Sequence, residues 1–202
     1  MGIYSTKSKW QQVFHPFVAL CVRNRVHPDA FTYGALVISF VAAFAFLLAG
    51  NDRAWLWLVP PLLVLRLLFN LMDGLVARER GLASVWGEVK NEFGDRIADV
   101  AIFLGLAFGG YVDTRLAALS LALILCVSYL GALGKALAGE RVYGGIFWKG
   151  DRMISLAVFT LYPVLTGNLA SYNWYLALAA LAATVTIVQR LRIIHSYAKS
   201  SR

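Results

Sequence analysis

Six runs of predominantly apolar residues dominate the chain, at approximately 31–50, 54–76, 93–112, 115–138, 152–169 and 172–193. Each is close to the roughly 20 residues a helix needs to cross a bilayer. Short polar stretches separate them: Asn51-Asp52-Arg53, residues 77–92, Val112-Asp113-Thr114, residues 139–151, and Gly167-Asn168. Ahead of the first run, Trp10, Val13, Phe14, Phe17, Val18 and Cys21 recur at helical spacing between flanking Lys and Arg. That pattern predicts an amphipathic helix lying on a membrane surface. His27-Pro28-Asp29 ends it, because Pro28 disfavours helix at the preceding residue, and Asp29 or Thr32 is positioned to cap the next helix. The expected fold is an all-α integral membrane protein. It is a single domain over 1–202, with an interfacial helix within 1–30 and a six-span bundle over 31–193. Pro60-Pro61 should kink the second span.

Composition agrees. The 202 residues are 59% hydrophobic and 15% charged, against roughly 25% charge in a soluble domain. The formal net charge of +8 is spread between apolar runs, which points to a membrane surface and anionic substrates and away from nucleic acid. Cys21 and Cys126 have no metal or redox spacing and read as buried small hydrophobes. Residues 1–30 contain Lys7, Lys9, Arg23 and Arg25 and lack a clean apolar core, so no cleavable signal peptide is expected. Lys and Arg fall mainly on one side of the six-span arrangement, with only Arg53 and Arg115 opposite. Both termini are therefore expected in the cytoplasm. His15, His27 and His195 lack ligand spacing and read as interfacial side chains. Gly131, Gly134 and Gly139 mark a candidate face for close helix packing.

The chemistry concentrates around the link between spans two and three. Asn70 and Asp73 are three residues apart and Asn91 and Asp95 four apart, so each pair shares one helix face. Both pairs sit at the cytoplasmic ends of adjacent spans and can converge. Four oxygen-bearing side chains there suit Mg²⁺ or Mn²⁺, which would hold a pyrophosphate. Gly74 and Gly87 would let a nucleotide approach the backbone. Arg66 lies about 10 Å deeper than Asp73 along the same helix. A charge at that depth needs a partner, and Asp99 or Asp95 on span three is expected to supply it.

The stretch from Asn70 through Asp95 resembles the signature of the CDP-alcohol phosphotransferases, D-x-x-D-G-x-x-A-R followed by G-x-x-x-D-x-x-x-D. Asp73, Gly74, Ala77, Arg78, Gly87 and Asp95 match it in identity and spacing, and the six-span layout is similar too. The resemblance implies transfer of a phosphatidyl group from CDP-diacylglycerol to an alcohol, with release of CMP, by a homodimer in a bacterial or archaeal cell membrane. It implies a cytoplasmic site with Asp95 as general base, a divalent metal held by Asn70, Asp73, Asn91 and Asp95, and the CDP donor against Gly74, Ala77, Arg78 and Gly87. Asn70 and Asn91 depart from it, since the signature has Asp at both; the family's four carboxylates would nearly neutralise two divalent ions. Members that make phosphatidylinositol phosphate are similar in their basic residues. By that likeness Lys135, Lys149, Arg152, Arg190 and Arg192 are acceptor-binding candidates, and the acceptor is a phosphorylated polyol such as glycerol 3-phosphate or inositol phosphate. Asn70 and Asn91 leave open a catalytically silent relative; a transferase for an unphosphorylated acceptor such as serine is the other alternative, which the basic residues disfavour.

Overall fold

A computed structural model describes residues 7–138 and 144–200. Gly139 and Arg141 lie outside that range, as does Arg202. The described residues form helices α1 (Lys7–Arg23), α2 (Pro28–Leu48), α3 (Val59–Glu79), α4 (Val85–Phe108), α5 (Thr114–Ala138), α6 (Lys149–Thr166) and α7 (Tyr172–Ser200). Short 3₁₀ helices at Arg53–Leu58 and Leu169–Ser171 lead into α3 and α7. No strand occurs among the described residues.

Helix ends depart from the sequence pattern for local reasons. His27 caps α2, its ring Nδ1 accepting from the Asp29 backbone N–H at 3.2 Å. Pro28 occupies the first turn, where its missing N–H is harmless. The caps expected from Asp29 or Thr32 are thus not used, and the Thr32 hydroxyl instead donates to Asp73. Pro60 and Pro61 likewise fall in the first turn of α3. The prolines therefore stand where the 3₁₀ turn passes into α3, and no N–H inside the α-helix is lost to them. The polar link after span two is shorter than its composition suggests, because Ser84 caps α4 by accepting from the Gly87 N–H at 3.1 Å. Ala77, Arg78, Gly87 and Asn91 are therefore all helical.

Four segments are long and apolar enough to cross a membrane: Pro28–Leu48, Arg53–Glu79, Thr114–Leu137 and Leu169–Tyr197. Two further helices, α4 and α6, match expected spans in position. They are more polar because α4 carries Glu88, Lys90, Glu92, Asp95, Arg96 and Asp99, and α6 carries Lys149, Asp151 and Arg152.

Helix α2 packs against both α3 and α4, α6 packs on α3, and α5 packs on α7. The core between them holds Phe46, Leu63, Ile102, Phe103, Leu106, Met153 and Leu156. Phe40 and Phe44 of α2, Val158 of α6 and Leu178 of α7 face outward, as suits a surface solvated by lipid. Within the helices, Gly105 of α4 makes a close backbone approach. A Cβ there would lie 2.2 Å from the carbonyl oxygen of Ala43 on α2. Gly105→Val is accordingly expected to destabilise the protein by about 1–3 kcal/mol through overpacking against backbone that cannot rotate away. Thermal unfolding in detergent measures this, and an unchanged midpoint would show that α2 and α4 separate freely.

A smaller cluster joins Val18 and Cys21 of α1 to Phe31 of α2 and to Met72, Leu75 and Val76 of α3. Phe17 and Leu20 of α1 stay exposed. The Arg80 guanidinium, just past α3, donates to the backbone carbonyls of Arg25 and Val26 at 3.0 and 2.6 Å. It thereby clasps the turn between α1 and α2, in which Arg25 adopts the left-handed region with φ 54°.

Candidate active site

Three helices contribute charge to one buried cluster. Helical spacing puts Arg66, Asn70 and Asp73 on one face of α3 and Asn91, Asp95 and Asp99 on one face of α4. Lys149 and Arg152 open α6. Asp99, fully buried, accepts from Arg152 Nη2 at 2.7 Å and from Arg66 Nη2 at 3.3 Å. Arg66 Nη2 also lies 3.8 Å from Asp95 Oδ1, so the partnership expected for this arginine involves both acids. Asp95 is 5% exposed; its Oδ2 meets Lys149 Nζ at 2.5 Å and Arg96 Nη2 at 3.8 Å. Asp73 Oδ2 accepts from Asn91 Nδ2 at 2.5 Å and from the Thr32 hydroxyl at 3.3 Å. The pairs Asn70–Asp73 and Asn91–Asp95 therefore do converge. Between them lies a cavity of about 10 Å³ lined by Thr32, Arg66, Asn70, Asn91 and Asp95, room for one water-sized species.

The residues expected on the donor side lie along the same two helices, near the ends joined by the short link. Gly74 is covered by the exposed Arg78, whose Nη1 would lie 3.4 Å from a Cβ at that position. Ala77 is half-buried one turn on, and Gly87 is half-buried in the first turn of α4.

The basic residues do not form one group. Lys149 and Arg152 belong to the acidic cluster just described. Lys135, exposed near the end of α5, pairs with Glu88 of α4. Arg190 is buried on α7, where Nε donates to Gly144 O at 2.9 Å and Nη1 to Val127 O at 2.5 Å. It ties α7 to α5 and to the segment before α6. Arg192 is exposed on α7. Sequence reasoning missed the contacts of Thr32 with Asp73 and of Lys149 with Asp95. A hydroxyl near the start of an apolar span was the only signal for the first, and nothing in residue spacing gave the second.

The family model for CDP-alcohol phosphatidyltransferase matches residues 25–188. The chain belongs to that family. As a CDP-alcohol phosphatidyltransferase it is an integral membrane enzyme that transfers phosphatidyl groups. An inner membrane protein of Escherichia coli K12, YnbA, is 27% identical over 195 residues, 96% of each chain. The phosphatidylinositol phosphate synthase of Cutibacterium acnes is 30% identical, over 92% of this chain and 93% of its own. Among solved structures, the Mycobacterium tuberculosis phosphatidylinositol phosphate synthase with CDP-DAG bound superposes with a TM-score of 0.74 at 25% identity. The match covers 91% of this chain and 94% of that one. Another structure of the mycobacterial enzyme is a complex with manganese and citrate.

The residues of this phosphatidyltransferase fit a divalent cation. Two carboxylates and two amides offer hard oxygen donors. The Asn70 Nδ2 is buried without a hydrogen-bond partner, and turning that amide over would present its oxygen in place of its nitrogen. Among the described residues there is no group of three or more His, Cys, Asp or Glu placed to bind metal, so the amides would have to serve as ligands beside the two acids.

Proposed function

We propose that the chain transfers a phosphatidyl group from CDP-diacylglycerol to the hydroxyl of a phosphorylated polyol, inositol phosphate or glycerol 3-phosphate, and releases CMP. The observation that carries this reading is Asp95, a buried carboxylate next to a small polar cavity, with the donor-side signature residues Gly74, Ala77, Arg78 and Gly87 one to two turns away. The acceptor oxygen attacks the β-phosphorus, a bond forms between them, and the bond from that phosphorus to the bridging oxygen of CMP breaks. Asp95 orients the hydroxyl and receives its proton. Asp73, Asp95, Asn70 and Asn91 would hold Mg²⁺ or Mn²⁺, whose charge would offset that of the pyrophosphate. The guanidinium of Arg78, folded over Gly74, is placed for the donor's phosphates.

The names of the relatives support a phosphorylated acceptor over serine. Arg192 and Lys135, both exposed, are the basic residues most available to its phosphate, Lys135 by sharing the ammonium it now gives to Glu88 at the surface; Lys149, Arg152 and Arg190 would have to share donors now given to Asp95, Asp99 and backbone carbonyls. The reading also takes α4 and α6 as membrane spans, six in all, with their charges neutralised by pairing within the bundle. It places α1 on the membrane surface, both termini and the site on the cytoplasmic side, and two copies in a homodimer.

Purified protein given CDP-diacylglycerol is expected to release CMP with inositol phosphate or glycerol 3-phosphate and not with serine. Release with none of the three would sink the reading, and release with serine alone would move the acceptor to the unphosphorylated class. With the productive acceptor, Lys135→Ala is expected to raise KM on the order of tenfold, the worth of one charged hydrogen bond near water, and to leave kcat nearly unchanged. A defect confined to the CDP-diacylglycerol KM would remove Lys135 from the acceptor site.

A further inference from the structure

The acidic cluster is already balanced by the chain's own cations. Asp73, Asp95 and Asp99 bring three negative charges, and Arg66, Lys149 and Arg152 bring three positive ones at 2.5 to 3.8 Å from Asp95 or Asp99. Arg96, 3.8 Å from Asp95, adds a fourth cation at the rim. The family signature has carboxylates where Asn70 and Asn91 stand, which would make the same cluster more negative by two. A carboxylate at 91 could not sit 2.5 Å from Asp73 Oδ2 unless a proton or a cation lay between them. Here the Asn91 amide closes that contact with an N–H, and the Lys149 ammonium closes the corresponding one on Asp95.

We propose that Lys149 is a resident cation that takes the place of one divalent ion at Asp95, leaving this chain with a site for a single divalent ion at Asp73, Asn70 and Asn91. The inference rests on the transferase reading of the same site and concerns how its positive charge is supplied. The electrostatics decide the number. Like charges a few ångströms apart in a site with little water repel far more strongly than they would in bulk solvent. A second divalent ion at Asp95 would meet Lys149, Arg66 and Arg96 at comparable range and carry two charges against each. Without the carboxylates that the signature has at positions 70 and 91, only Asp73, Asp95 and Asp99 remain to offset that repulsion, and Asp95 and Asp99 are already paired. A single ion at Asp73 would have the amides and the Thr32 hydroxyl beside it, and Asp95, which lines the same cavity, would offset the charge of Arg66 there. Lys149 is 22% exposed, less buried than Arg66 or Arg152 at 1% each. It is the cation of the cluster best placed to meet the donor's pyrophosphate while staying on Asp95.

Manganese binding counts the ions directly. Full-length protein in detergent, titrated with Mn²⁺ in the presence of CDP-diacylglycerol and followed by calorimetry and by the electron paramagnetic resonance of free Mn²⁺, is expected to take up one ion per chain. Lys149→Ala is expected to take up two, and Lys149→Arg, which keeps the charge, one. Two ions in the wild type, none in the wild type, or one in Lys149→Ala overturns the proposal. Asn70→Asp with Asn91→Asp gives an independent check that leaves Lys149 in place. The restored carboxylates are expected to tighten Mn²⁺ binding at least about tenfold, or 1.4 kcal/mol, and equal affinity to wild type would remove both amides from the ion site. CMP release is assayed separately on the same preparations. Its absence with every acceptor would tell against the transfer reaction and leave the ion count standing.

Discussion

Asp95→Asn is expected to remove CMP release, by a factor of about 10²–10⁴ or more, while the protein still folds and still binds CDP-diacylglycerol. The substitution keeps shape and volume, so the helix packing around position 95 survives. What it removes is the one carboxylate beside the cavity that can take a proton from an acceptor hydroxyl, and a positioned base contributes a factor of that size. It also withdraws the counter-charge from Lys149 and Arg96. The fold tolerates this because both groups reach partly exposed surroundings and because Arg66 keeps Asp99. The measurements are CMP release, and protection from thermal unfolding by CDP-diacylglycerol as a report of donor binding. Wild-type turnover in the variant would show that Asp95 neither takes nor orients the proton; loss of donor protection would place it on the donor side.

Asp99→Ala is expected to have the largest effect on stability. Asp99 is fully buried between Arg66 and Arg152, and those two guanidinium groups are 1% exposed. Removing their shared partner takes the acid from Arg152 and leaves Arg66 only its 3.8 Å contact with Asp95, in a place where neither water nor lipid solvates them. Breaking one buried pair costs about 3–5 kcal/mol, and here two are broken by one change. The variant is expected to be lost to aggregation or to unfold at a much lower temperature in detergent. The complementary experiment replaces all three charges with apolar residues, Arg66→Met, Asp99→Leu and Arg152→Met. Since a buried triad contributes little net stability once its desolvation is counted, the triple variant is expected to recover the wild-type unfolding temperature. A single Asp99→Ala variant as stable as wild type would mean that the triad is hydrated in the membrane and not buried.

Much of this site was legible before any coordinates. Helical spacing alone paired Asn70 with Asp73 and Asn91 with Asp95, and the short link after α3 required the two faces to meet. Arg66 announced a partner because an unpaired charge at its depth is too costly. The outer helices were legible because lipid demands an apolar surface. Two things were hidden for identifiable reasons. Contacts between residues far apart in sequence, such as Thr32 with Asp73 and Lys149 with Asp95, depend on α2 and α6 both docking against α3, which periodicity does not encode. The direction of a long side chain was hidden too. The positive-inside pattern located Arg190 near one membrane face, yet its guanidinium turns inward to the carbonyls of Gly144 and Val127. Close packing also escaped notice. Gly131 and Gly134 mark the candidate contact face in the sequence, whereas the close backbone approach is made by Gly105 and, four residues on, Gly109, which face the Ala43 and Phe46 carbonyls of α2.

The clasp made by Arg80 bears on how freely this chain can drift in sequence. Its guanidinium grips main-chain oxygens, so it recognises the shape of the turn at Arg25 and Val26 and not their side chains. Many residues at those two positions would preserve the grip, with glycine the most comfortable at the left-handed Arg25. Both bonds leave one nitrogen, Nη1, and only lysine among the other side chains brings several donors on one nitrogen to a comparable reach. The polar part of the attachment between the first helix and the signature helix thus hangs on one residue on the signature side and on none in particular on the other, while Val18 and Cys21 supply its apolar part against Met72, Leu75 and Val76. The outer segment is left free to vary under whatever membrane it meets, without disturbing the chemistry to which it is fastened.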